Sequence, residues 1–522
     1  MTDPQETEQM FTDYQPIPSS HPDRVAFLCS CLGFSPAWPP DSTVFELACG
    51  DGTNLIPMAF HMPRAKFIGV DSSKELISSA KASALRLGLE NVEFIAGDIL
   101  ALSTFQERFD YIITPNIFSF LSEVAQTKIC SLSREALNEN GVLFINYNTD
   151  VRWPFRTHLW STLLEYIGAH DTIESTLRTV RAVIELLDID EIDVTDPYTV
   201  LIKSELRLAR SLSDENLALM LFSPHANSIT SSRVADLARD NGLRVIDFTR
   251  EPAVTLRAEL SLHRALIEHG GGQARAEDLI DLVMGHQTRS VLLCRREAEE
   301  RPTRALPALL ERGFFSSPII RKQTDVNLAV GVDVDFKTRN QHMIRAKEPL
   351  HKALLVALMN AWPQGRRFAD LIDDALAMVT DVDPADDDAN SALIDRQVKD
   401  LLSLCRLGGA TWRSREPAIL GTTPPLVKVF EINRWQATRG HVLTDADHRL
   451  VIVDEFTRQL ISLLDGTSDQ DSLVAAMLTK FETGDLEVKA DGKAEKEPLE
   501  ALVSRLVGES IESLTTAGLL EA

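Results

Sequence analysis

The stretch VFELACGDGTN, residues 44–54, constrains this chain more than any other. An apolar run over 44–48 reads as a buried strand, and glycines at 50 and 52 let the backbone turn sharply into a helix over 54–61. Further apolar runs follow at 66–70, 92–96, 111–114 and 142–147, with helical patterns over 73–87 and 123–137 between them. Alternation of this kind predicts right-handed crossovers and a parallel, doubly wound sheet. Ligands of such a sheet sit at the C-terminal ends of its strands.

The remaining 370 or so residues change character twice, and a chain of 522 residues is expected to form three or four domains of about 150 residues each. Long helical patterns without strand signals run over 153–222, and strand-like runs return at 243–249 and 288–294. These late strands are read as rejoining the first sheet. The expected organisation is a cofactor-binding core over 1–165, a helical insertion with a possible role in dimerisation over 166–230, and late strands over 231–300. A linker punctuated by Pro302, Pro307 and Pro318 follows over 301–323, then two modules over 324–420 and 421–522. Each module shows strand, three helices and a wing-like turn, which is the outline of a winged helix. The predicted fold class is therefore α/β, a Rossmann-like domain with a helical insertion, plus two α+β winged-helix-like C-terminal modules.

Charge narrows the partners. The chain carries 53 basic and 77 acidic side chains, net −24, a sign that repels nucleic acid and anionic lipid. From Gly421 onward there are 10 basic and 18 acidic residues, so DNA is not the expected partner of the winged-helix outline. The charged run over 487–500 reads as a solvated loop. Six cysteines occur without a CxxC pair or histidines at zinc-ligand spacing, and are read as reduced, mostly buried thiols with no metal role. No apolar stretch reaches membrane-spanning length and the N-terminus has no apolar signal core, so no membrane insertion and a cytoplasmic location are expected.

The Gly-rich turn departs from a dinucleotide fingerprint. Its spacing is Glu46-x-Ala48-x-Gly50-x-Gly52-x-Asn54, led by an acid. A carboxylate at that point repels pyrophosphate and attracts a cationic amino-acid moiety, so S-adenosylmethionine fits better than NAD. Asp71 ends the second strand about 20 residues later, where an acid accepts the hydroxyls of a ribose; Ser72 beside it belongs with the cofactor residues. A helix N-cap is the competing reading of Asp71. Gly97, Asp98 and Ile99 end the third strand, offering a carboxylate for an exocyclic amine and an apolar side chain for a ring face. Asn116 lies just past the fourth strand, as a cofactor-edge residue or a turn cap.

At this point these motifs, with GVDSS, AGDI and FDYII, resemble the class I S-adenosylmethionine-dependent methyltransferases. HPDRVA at 21–26, the run Tyr147-Asn148-Thr149 with Trp153, QTRSVLLC, NAWPQGRRFADLIDDA and FTRQLISLLDGTSDQDSL narrow the resemblance. They are similar to bacterial methyltransferases with a methyltransferase regulatory domain, the group of the rickettsial protein lysine methyltransferases of outer-membrane protein. The resemblance implies methyl transfer to a protein or peptide side chain, lysine favoured, and the net charge of −24 suits a basic partner. Two departures stand out. Where the family shows His-Gly-Val-Tyr-Ser-Trp this chain has Pro115-Asn116-Ile117-Phe118-Ser119-Phe120, and Tyr-Pro-Gly-Trp is replaced by Asp150-Val151-Arg152-Trp153. A small-molecule N- or O-methyltransferase and a non-catalytic cofactor-binding scaffold therefore stay open.

Tyr147, Asn148, Trp153 and Phe118 are the expected acceptor-side residues, with Phe118 read equally well as core packing. The C-terminal modules are expected to recruit the substrate, so that a chain shortened from about 324 onward keeps its cofactor affinity.

Overall fold

The computed structural model describes residues 15–102, 107–168, 170, 172–187, 196–223, 228–249, 257–270, 272–299, 308–321, 326–338, 343–379, 387–416, 418–486 and 498–522. Seven strands form one sheet: β1 (Thr43–Leu47), β2 (Lys66–Asp71), β3 (Val92–Ala96), β4 (Phe109–Thr114), β5 (Leu137–Asn148), β6 (Leu243–Thr249) and β7 (Thr288–Arg295). Their order is β3-β2-β1-β4-β5-β7-β6. β1 pairs in parallel with β2 and β4, whereas β7 runs antiparallel to both β5 and β6. The order reverses between β1 and β4, so a crevice opens there at the strand ends, and the Gly-rich turn leaves β1 at that point.

Local chemistry explains the helix boundaries. Ser73 and Ser122 each accept a backbone N–H at the start of the helices Lys74–Arg86 and Glu123–Ala136. The centre of the sheet is buried on both faces. Val44, Phe67, Phe94, Ile113 and Phe144 face one core, and Phe45, Ile112, Leu143, Ile145 and Tyr147 face the other, under the helices Glu123–Ala136 and Ser231–Asp240.

The helical unit begins earlier than the expected boundary at 165, because the helix Trp153–Ile167 runs straight across it. With the helices Ile173–Leu187, Pro197–Ser211 and Asp214–Phe222 it builds a separate core from Trp160, Leu177, Val180, Ile184, Leu206 and Leu217. The linker expected over 301–323 is also corrected within its described part. Residues 308–321 hold the helix Ala308–Glu311 and the strand Phe314–Ser316, which pairs with Thr411–Arg413. Leu310 and Phe315 are fully buried there, and the Trp412 indole N–H donates to the Leu310 carbonyl at 3.0 Å. Three prolines broke the helical pattern of this segment without making it a spacer, since its apolar residues have a core to enter. Residues 1–14, 301–307 and most of the charged run over 487–500 lie outside the described residues.

The two C-terminal modules differ in how they attach. The second builds its own core from Val427, Val429, Leu443, Leu460, Leu473, Val503 and Val507. Among the described residues the first has no core apart from the sheet domain's: Leu350, Leu354, Leu371, Val398, Leu401 and Trp412 belong to the same buried cluster as Val25, Phe27, Phe67 and Ile113. Polar contacts cross the same junction. Arg24 donates to the carbonyls of Cys405 and Arg406 at 2.9 and 3.1 Å, and the Trp412 ring lies 6.4 Å from Phe27 and 6.0 Å from Trp38. A cut at 324 would remove residues of that shared cluster, which weighs against the expectation that the shortened chain keeps its cofactor affinity.

Candidate active site

The turn after β1 takes three alternate left-handed positions, Ala48, Gly50 and Gly52, at φ 59°, 56° and 80°. Gly52 needs its hydrogen for a second reason. A Cβ there would lie 2.7 Å from Phe94 Cζ and 3.0 Å from Ile56 Cδ1. Phe94, buried on β3, also lies 2.9 Å from where a Cβ of Gly69 on β2 would stand, so one ring is wedged between two glycines and draws the turn down onto the sheet.

Hydrogen bonds tie the three strand ends together. Asp71 accepts the Gly50 N–H through Oδ2 at 2.9 Å and the Ser73 N–H through Oδ1 at 2.9 Å. The Gly97 N–H donates to the Asp71 carbonyl at 2.8 Å. The ligand and helix-start readings of Asp71 are thus compatible: it orders two backbone segments and remains at the crevice edge. Burial raises its carboxyl above the usual range, against the lowering effect of those N–H donors. Ser72 and Asp98 are exposed beside it, and Ile99 is half-buried against the second core. Asp98 also closes its own turn by accepting the Leu100 N–H at 2.8 Å.

Glu46 and Asn54 form the other half of the site. Asn54 Nδ2 donates to Glu46 Oε1 and to Ser20 Oγ, each at 3.2 Å, while Asn54 Oδ1 accepts the Ile17 N–H at 2.9 Å. Glu46 is 1% exposed, and its Oε2 has no hydrogen-bond partner among the described residues. Burial pushes its carboxyl well above the ordinary range, so the empty Oε2 position is set up to gain from a cationic partner. An orphaned carboxylate oxygen, a turn with glycines at 50 and 52 and an acid at the end of β2 together fit S-adenosylmethionine.

The acceptor-side residues are not gathered as the sequence suggested. Tyr147 is 1% exposed, packs with Leu143 and Ile145, and shares a hydrogen bond of 2.9 Å with Ser231 Oγ. Phe118 is fully buried in the same core. Both are corrected from acceptor-side to structural residues, because alternation along β5 turns Tyr147 toward the helices and the turn after β4 tucks Phe118 beneath itself. Asn148 is half-buried, with its backbone N–H held by Ser119 Oγ at 2.7 Å and its carbonyl by the Ile229 N–H at 2.9 Å. Trp153 meets Phe120 edge to face at 6.2 Å, and its buried indole N–H has no partner among the described residues. Asn116 is exposed in a left-handed turn at φ 56° beyond β4.

Three bridging residues escaped the sequence reading. His448 Nε2 lies 2.9 Å from Asn54 Oδ1, Arg439 pairs with Asp51 in the Gly-rich turn, and Arg415 reaches Asp23 at 3.1 Å. No sequence signal links positions 394 residues apart.

Residues 40–189 match the family model of a methyltransferase domain, and residues 428–519 match that of the PKMT C-terminal winged helix domain. An uncharacterized protein of Rickettsia prowazekii is 22% identical over 97% of this chain and 92% of its own length. A ribosomal RNA small subunit methyltransferase G of Chlorobaculum tepidum is 34% identical over 20% of this chain and 44% of its own length. Among solved structures, PKMT2 from Rickettsia typhi in complex with AdoHcy superposes with a TM-score of 0.79 at 20% identity, covering 98% of this chain and 99% of that one. The turn, the acids at the ends of β1 and β2 and these two domain matches lead to one conclusion: the chain is an S-adenosylmethionine-dependent methyltransferase that ends in a winged helix domain of the PKMT kind.

Proposed function

We propose that the chain methylates a protein or peptide side chain, with a lysine amine the favoured acceptor. The observation that carries this reading is the correspondence along nearly the whole chain with a PKMT fold, winged helix domain included. When bound, S-adenosylmethionine supplies an electrophilic methyl group that passes to the acceptor by in-line displacement. The protein's part is orientation and exclusion of water. Glu46 would hold the amino-acid end of the cofactor, Asp71 its ribose, and Asp98 and Ile99 its base, while the turn from Ala48 to Gly52 would let it approach the backbone. On the acceptor side, Trp153 and Phe120 form an aromatic corner with the Arg156 guanidinium 5.3 Å from the Trp153 ring, a setting that favours the neutral amine needed for attack. The Asn148 side chain, without a hydrogen bond among the described residues, is free to orient the acceptor.

The partner is a protein with a basic or neutral face, in keeping with the net charge of −24, and DNA is disfavoured by the same charge. No helix among the described residues is long and apolar enough to cross a membrane, and the cysteines are free, so the reading places the enzyme in the cytoplasm. Tyr166, Leu186 and Tyr198 are 79%, 74% and 62% exposed on the helical unit, an apolar surface suited to a second copy of the chain.

The decisive experiment incubates the purified chain with isotope-labelled S-adenosylmethionine and cell lysate, followed by mass spectrometry. Label on lysine side chains supports the proposal. Label confined to small metabolites favours the small-molecule N- or O-methyltransferase suggested by the altered residues after β4, and absence of label favours a cofactor-binding scaffold.

A further inference from the structure

The winged helix domain reaches into the cofactor site. His448 sits in the turn of the hairpin between the strands Val442–Thr444 and Leu450–Ile452, where its N–H donates to the Asp445 carbonyl at 2.9 Å. Its backbone is left-handed at φ 63°, a conformation that ordinary side chains adopt at a cost and that concentrates at functional positions. The side chain is 1% exposed and extends to Asn54, whose Oδ1 already accepts the Ile17 N–H.

The tautomer follows from the partners. Asn54 Nδ2 is committed as donor to Glu46 and Ser20, so Oδ1 is an acceptor and the imidazole donates through Nε2–H. Burial, with His21 and Arg415 nearby, keeps the ring neutral, as that role requires. A chain of contacts therefore runs from the winged helix domain to the carboxylate that awaits the cofactor: His448 to Asn54, Asn54 to Glu46 Oε1, leaving Glu46 Oε2 unpartnered. A second contact braces the same turn. Arg439 pairs with Asp51, whose other oxygen accepts the Thr53 N–H at 3.1 Å and the Thr53 hydroxyl at 2.6 Å.

We propose that His448 is a positioning residue of the cofactor site, holding the Asn54 amide in the one orientation that turns the free oxygen of Glu46 toward the ligand. Cofactor binding and seating of the winged helix domain are then linked, and by reciprocity each strengthens the other. The domain is part of the catalytic unit as well as a surface for partners.

The test is calorimetric titration of the full chain with S-adenosylhomocysteine. His448→Ala is expected to weaken binding about tenfold, the share of one buried hydrogen bond. His448→Gln places an amide Nε2–H at a similar reach from the backbone and is expected to return affinity to within about threefold of the parent. Both variants meet the same left-handed backbone, so strain cancels between them. Hydrogen exchange supplies a second readout: the ligand is expected to slow exchange over 441–453 in the parent and not in His448→Ala. If His448→Ala does not fold, Arg439→Gln is measured in its place, with the same loss of ligand-induced protection expected. Unchanged affinity in His448→Ala, equal damage from Ala and Gln, or no ligand-dependent protection of the hairpin would each overturn the proposal.

Discussion

Replacing Gly52 with alanine tests the geometry of the cofactor turn most directly. The new Cβ meets a backbone at φ 80°, which costs an L-residue about 1–2 kcal/mol. It also lies 2.7 and 3.0 Å from two atoms of the Phe94 ring and 3.0 Å from Ile56 Cδ1, an overpacking that costs about 1–3 kcal/mol. Phe94 is buried and cannot swing into solvent, so the turn itself is displaced toward the ligand. The sum is about 2–5 kcal/mol, and each 1.4 kcal/mol of it that appears in the bound state weakens affinity about tenfold. Gly88→Ala is the control, because Gly88 has φ 64° and open space around its missing Cβ, leaving only the backbone cost. Any gain from stiffening the unfolded chain is similar for both and drops out of the comparison. Thermal unfolding and S-adenosylhomocysteine titration are measured on Gly52→Ala, Gly88→Ala and the double variant Gly52→Ala with Phe94→Leu. Removing the ring atoms is expected to recover at least about 1 kcal/mol beyond additivity. Equal costs at 52 and 88, together with strictly additive behaviour of the double variant, would refute the steric account.

Three further outcomes follow from the same structure. Asp71→Ala strips two backbone N–H groups of their acceptor as well as removing the proposed ribose contact, and titration is expected to show affinity for S-adenosylhomocysteine falling by about 100-fold or more. Tyr147→Phe removes the hydrogen bond to Ser231 and is expected to lower stability by about 1 kcal/mol while leaving the methylation rate of folded enzyme unchanged; a collapse in kcat at unaltered stability would return Tyr147 to the acceptor site. Acid should loosen the junction around His21, where burial first, then Arg415, lowers the imidazole from 6.5 to about 3 against a smaller raising effect of Asp447, with the His448 ring tilted beside it at 5.7 Å. The folded state resists that proton, so this stability is fully present above pH 6.5 and is lost as pH falls toward about 3. Between pH 7.5 and pH 5 the loss is about 2 kcal/mol at 1.36 kcal/mol per pH unit below 6.5. His21→Asn keeps an acceptor for the Asp23 N–H without titrating, so its melting temperature should fall less over that range, and parallel curves for the two proteins would contradict the assignment.

Much of the cofactor half was readable because it is built from neighbours in sequence. An apolar run followed by Gly50 and Gly52 can only turn sharply, and an acid closing the next strand arrives beside that turn whatever else the chain does, since parallel pairing brings Asp71 to the Gly50 amide. Glu46 stood out for the same reason. The acceptor half was less readable. In β5 both faces are buried, so alternation separates Tyr147 from Asn146 and Asn148 without saying which set meets the helices and which the crevice. Its companions Leu143 and Ile145 were the available signal.

Sequence alone therefore determined the sheet, the turn and the kind of ligand, because propensity, capping and strand pairing act over a few residues or along one ladder. Tertiary structure decided which side chains were spent on packing and how the C-terminal half attaches. The prolines before the first module suggested a spacer, yet Leu310 and Phe315 fill a core shared with the sheet. His448 is an unremarkable residue of a polar hairpin until packing sets it 2.9 Å from Asn54. Burial and long-range contact depend on how whole surfaces fit together, and no local pattern in the chain records that fit.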